Sequence, residues 1–152
     1  MIQRIQTIWL ILAALTLACL LFVPMVTSSV SQQEFYIIAS GLYQKSTTGI
    51  LQVEKTMSLF LSTIALTLLP LASIFSFRNR NMQKRLITLN ILLIIGLSYW
   101  CSVFAQKIPG GIESANYSIG MFLPVLAIVF CVLAIKGINN DEKLIRSADR
   151  LR

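Results

Sequence analysis

The chain contains no histidine, only six acidic residues, and three cysteines of which no two form a Cys-x-x-Cys pair. Without histidine it lacks the commonest metal ligand and the side chain that titrates near neutral pH. Cys19, Cys101 and Cys131 all lie inside apolar runs, where free cysteine behaves as a small packing residue, so metal binding and thiol redox chemistry are not expected. The four-span disulfide-forming enzymes are excluded in the same way, because they need paired reactive cysteines. Glu34, Glu54 and Glu113 are isolated carboxylates in polar segments and make no acid–base pair. The expectation is a non-enzyme that carries no cofactor.

Charge of either sign is scarce, at 12% of residues against roughly 25% in a soluble domain, while 56% are hydrophobic. The net charge of +7 does not imply nucleic acid, because the basic residues lie between apolar runs and not on a soluble fold with exposed aromatics. They cluster at Arg4, at Arg78, Arg80, Lys84 and Arg85, and along Lys136 to Arg152. Between the clusters lie four uncharged apolar runs, residues 5–26, 57–77, 86–104 and 118–135. Each approaches the roughly 20 residues that cross about 30 Å of hydrocarbon as a helix.

Basic flanks stay on the cytoplasmic side of a membrane, so Arg4, Arg78, Arg80, Lys84 and Arg85 set topology and both termini face inward. Lys45, Lys55 and Lys107 are the sparser opposite set. Aromatic residues at run ends, Tyr99 with Trp100 above all, fit headgroup depth. A cleaved lipoprotein signal ending before Cys19 is disfavoured, since Thr16 stands where such a site carries Leu and apolar sequence continues to Val26.

Outside the runs, residues 27–56 form the outer loop, with β-prone stretches at Phe35–Ala39 and Ile50–Val53 and turn chemistry at Gly41 and Ser46–Gly49. Alternation in the second stretch predicts an apolar face lying on the helix ends. A second outer loop, Gln106–Tyr117, carries Pro109, Gly110 and Gly111 and reads as a turn.

No span contains a charged residue, and Asn90 is its strongest polar side chain, a candidate for an interhelical contact. Pro70 and Pro124 are expected to kink their helices, with Thr63 and Thr67 satisfying local carbonyls. The tail 136–152 predicts an amphipathic helix begun by an Asn139–Glu142 capping box. Asp141, Glu142, Leu144, Ile145, Arg146, Asp149, Arg150 and Arg152 are its candidate contacts to lipid or to a protein partner.

Two end motifs are distinctive: Met1-Ile2-Gln3-Arg4-Ile5-Gln6-Thr7 leading to Trp9, and Asp141 through Arg152. On these the chain resembles a Bacteroidota membrane family, domain of unknown function 4293. The resemblance implies a bacterial inner-membrane location and supplies no activity.

The predicted fold is therefore an all-α membrane protein, a single domain over 1–152. It is a four-transmembrane-helix bundle with a small β-containing outer loop and a short cytoplasmic C-terminal amphipathic helix. The leading functional expectation is a non-catalytic inner-membrane accessory or scaffold protein. It would sit in the lipid bilayer and meet a membrane or cytoplasmic protein, or a second copy of itself, through the tail. The alternative is a subunit of a small oligomeric transporter or channel.

Overall fold

A computed structural model describes residues 3–30, 33–46, 49–76, 79–106 and 115–149. In chain order these form α1 (Gln3–Cys19), strands β1 (Val26–Val30), β2 (Gln33–Ile38), β3 (Gly41–Ser46) and β4 (Gly49–Lys55), then α2 (Met57–Phe75), α3 (Arg80–Ala105), β5 (Ala115–Tyr117), a 3-10 turn at Ile119–Met121, and α4 (Leu123–Asp149).

The helices are built around stripes spaced three and four residues apart. On α1 the buried stripe is Gln6, Leu10, Ala13 and Leu17; on α4 it is Ala127, Cys131, Ala134, Ile138 and Asp141. Such spacing holds one face against neighbouring helices along their whole length. The N-terminal helix packs against both α4 and α2, and α3 closes the set by packing on α2 and α4. Trp9 stacks on Phe130 across the first of these contacts, with ring centroids 5.9 Å apart.

The outward faces are as apolar as the inward ones. Leu61, Leu68 and Phe75 on α2, Leu92, Ile95 and Tyr99 on α3, and Val125, Val129 and Val132 on α4 are all exposed, whereas Thr63 and Ser73 are buried. A water-soluble helix has the opposite arrangement, so this pattern is that of a bundle solvated by lipid. Among the described residues, three helices are long and apolar enough to cross a membrane, over Met57–Phe75, Arg80–Ala105 and Ile119–Leu144.

The all-α four-helix-bundle expectation is overturned by a five-stranded antiparallel sheet of order β4-β3-β2-β1-β5. Phe35–Ala39 and Ile50–Val53 do fall largely in β2 and β4, but three further strands join them. Strand β1 begins inside the first apolar run, because α1 ends at Cys19 and the chain tightens through Leu20→Leu17 and Leu21→Ala18 amide bonds before reaching Pro24. Proline offers no amide donor and biases its predecessor to extended backbone, so the run from 5 to 26 is helix, turn and strand in succession. On its buried face the sheet sets Val26, Phe35, Ile37 and Leu42 into one core with Leu17 and Leu20 of the α1 end.

Other expectations also change. Ile50, Leu51 and Val53 are exposed, because β4 is an edge strand lying beyond the helix ends, and so they do not cover the bundle. Pro124 sits in the first turn of α4, where a missing amide breaks no helical bond, whereas Pro70 lies inside α2. Thr63 and Thr67 do satisfy local carbonyls, donating to those of Leu59 and Thr63. The tail is no separate helix, since α4 runs 27 residues without interruption and Asn139 lies in its interior.

Candidate functional site

Gln3 at the start of α1, Arg80 at the start of α3 and the last turns of α4 share one end of the bundle, and the sheet occupies the other. At the terminal end each helix buries a polar residue: Gln6, Ser73, Gln83 and Asp141. Gln6 Nε2 donates to Asp141 Oδ2 across the α1–α4 contact. One turn earlier on α4, Gly137 leaves room for the Gln6 stem; a Cβ there would stand 3.2 Å from Gln6 Cγ. The next residue after Asp141, Glu142, receives Lys84 Nζ of α3 at 2.8 Å, a pair about three-quarters shielded from solvent.

Of the residues assigned to partner contact, Asp141 and Glu142 are therefore committed to α1 and α3, and Glu142 is no N-terminal capping group. Leu144 is exposed beside exposed Lys143. The backbone of α4 carries Ile145, Arg146 and Asp149, but their side chains, like that of Arg4, are outside the described set; Arg78, Arg150 and Arg152 lie outside the described residues altogether. So does most of the second outer loop, including Pro109, Gly110 and Gly111. Arg80 and Arg85 stand at the terminal end with Lys84.

Near the middle of the bundle Asn90 is 1% exposed, and its Nδ2 points to Cys131 Sγ of α4 at 3.9 Å. Its Oδ1 is buried without a partner. All three cysteines are free, and no group of three potential metal ligands occurs among the described residues.

A family model describing a domain of unknown function, DUF4293, matches residues 2–151. The chain belongs to the DUF4293 family. No curated protein matches it. For this DUF4293 chain the match spans the helices, the sheet and the tail together, so all of them belong to one family unit.

One feature of the DUF4293 fold escaped sequence reasoning. On the outward face of the sheet, Thr27, Tyr36 and Tyr43 lie in one cross-strand row with Asn116, and Ser29, Glu34 and Lys45 in the next. Tyr36 and Tyr43 stack with centroids 5.4 Å apart. Lys45 Nζ donates to Glu34 Oε2 at 3.0 Å. With Phe22 and Pro24 as a wall, this face encloses a groove of about 590 Å³. The signal was the alternation within Gln33–Ile38, which became readable as a face only once β1, β3 and β5 were known to flank it.

Proposed function

We propose that this DUF4293 protein crosses the bacterial inner membrane four times, with both termini in the cytoplasm. In this reading it is a non-catalytic accessory protein that docks a membrane or cytoplasmic protein partner through the end of α4. The observation that carries the reading is the pair of contacts at the root of that end, Gln6 to Asp141 and Lys84 to Glu142. They tie α4 to α1 and α3 where it leaves the apolar bundle. A partner would then meet a helix already held in place, and little ordering entropy would be lost on docking. The surface offered is the side of α4 that exposes Lys143 and Leu144; the sequence that follows is basic at Arg146, Arg150 and Arg152, which suits an acidic partner.

Support for the orientation comes from the terminal end carrying Arg80, Lys84, Arg85, Lys136 and Lys143, because basic flanks are retained in the cytoplasm. A cysteine-free variant given one cysteine at Ser147 or at Ser40 should label from opposite sides of inverted and intact membranes. A photocrosslinker at Leu144 should trap one defined protein, and Glu substitutions at Arg146, Arg150 and Arg152 should abolish that adduct while labelling stays unchanged. Adducts that ignore those charge reversals would refute docking through this end.

A further inference from the structure

The groove on the outward face of the sheet has the two-part chemistry of a phospholipid site, and we propose that it holds the headgroup of a zwitterionic glycerophospholipid bearing a primary amine. Its volume of about 590 Å³ falls within the roughly 300–1,000 Å³ of small-molecule pockets. Its polar side carries one cation and one anion in contact, Lys45 and Glu34, both side chains more than half exposed. An exposed pair of this kind is held by little free energy and exchanges partners readily. A phosphodiester accepting from Lys45 Nζ and an ammonium donating to Glu34 Oε2 would replace one ion pair by two.

The opposite wall explains why the ligand is a lipid and not a soluble zwitterion. Phe22, three residues beyond the end of α1, is 79% exposed, and Pro24 continues the apolar wall. Gly120 seats the Ile119–Met121 turn directly on the Val23 and Pro24 backbone, a fit that any side chain would block. That packing sets the turn with exposed Ile119, followed in sequence by exposed Phe122, beside the Pro24 backbone. Apolar side chains thus continue from the lipid-facing bundle to the mouth of the groove, where an acyl chain would run. An anionic headgroup would satisfy Lys45 and face Glu34 with like charge.

The test uses the full chain in nanodiscs containing equal parts phosphatidylethanolamine, phosphatidylcholine and phosphatidylglycerol, extracted into mild detergent, with retained lipid identified by mass spectrometry. Phosphatidylethanolamine should be enriched over both others, since a quaternary amine has no N–H to donate to Glu34. Lys45→Gln and Glu34→Gln should each lower its retention about fivefold, equivalent to ~1 kcal/mol. Phe22→Ser should weaken retention of all three lipids without changing their order. Hydrogen exchange over Gln33–Lys55 checks that the sheet persists in each variant. Equal retention of phosphatidylglycerol or phosphatidylcholine, or unchanged retention in both charge variants, would overturn the proposal. So would complete displacement by millimolar glycerophosphoethanolamine, which would assign the groove to a soluble ligand.

Discussion

Gln6 and Asp141, 135 positions apart in the sequence, meet in a hydrogen bond at which both side chains are more than nine-tenths buried. The amide is the donor and the carboxylate the acceptor, so the two ends of the chain are joined by a charge-assisted bond in a shielded setting. Charge-assisted bonds contribute more than neutral ones, and removing one partner strands the other.

Gln6→Ala and Asp141→Ala should each destabilise the folded protein in detergent by about 1.5–3 kcal/mol. The double variant should cost less than the sum, because no unpartnered group is left behind. Reversible unfolding in mixed micelles measures all three. Strict additivity would show that the bond carries no coupling.

At Gly137 two effects of similar size oppose each other. Alanine gains about 1 kcal/mol of helix propensity over glycine, but its Cβ would press on Gln6 Cγ, which must shift by a few tenths of an ångström. Gly137→Ala should therefore be near neutral in the same unfolding assay. Gly137→Leu has no such compensation and should lose about 1–3 kcal/mol through overpacking.

Within the sheet two glycines separate backbone strain from crowding. Both Gly41 and Gly49 have positive φ, at 147° and 138°. A Cβ on Gly41 would collide with the Glu54 carbonyl, whereas one on Gly49 would meet open space. Gly41→Ala should speed amide exchange across Gln33–Lys55 markedly, and Gly49→Ala should do so only near the turn.

Along α1, Leu10 is fully buried and Leu15 is more than half exposed. Leu10→Ala should cost about 2–5 kcal/mol through the cavity it opens. Leu15→Ala, which removes contact with lipid or detergent alone, should cost far less. Comparable losses at the two positions would contradict the inward placement of Leu10.

Much of the helical framework is legible in the sequence because charges and apolar runs are so cleanly separated. Met57 starts α2 where the second run starts, and α3 starts at Arg80 within the basic cluster that separates the second run from the third. The sheet is less legible for a physical reason. Residues 20–26 are apolar whether they continue a helix in lipid or enter a strand under one, and hydropathy does not distinguish the two. Pro24 was the one local signal. Strand β5, three residues long, is defined by its pairing with Val26–Ser28 and has almost no pattern of its own. The tail misled differently: Asp141 and Glu142 look solvent-bound in a linear reading because their partners, Gln6 and Lys84, are 135 and 58 positions away.

The pairing of β1 with β5 has a consequence for biogenesis. Val26, made early, finds its ladder partner Tyr117 only after three helices have been synthesised, and α4 follows immediately to cover the open side of α1. During translation the first helix must wait with one flank uncovered. Closure of the sheet and completion of the bundle therefore fall together, once β5 and α4 have been made. A nascent chain arrested before Ala115 should leave Leu10 and Leu17 open to whatever insertion factor or chaperone attends the membrane.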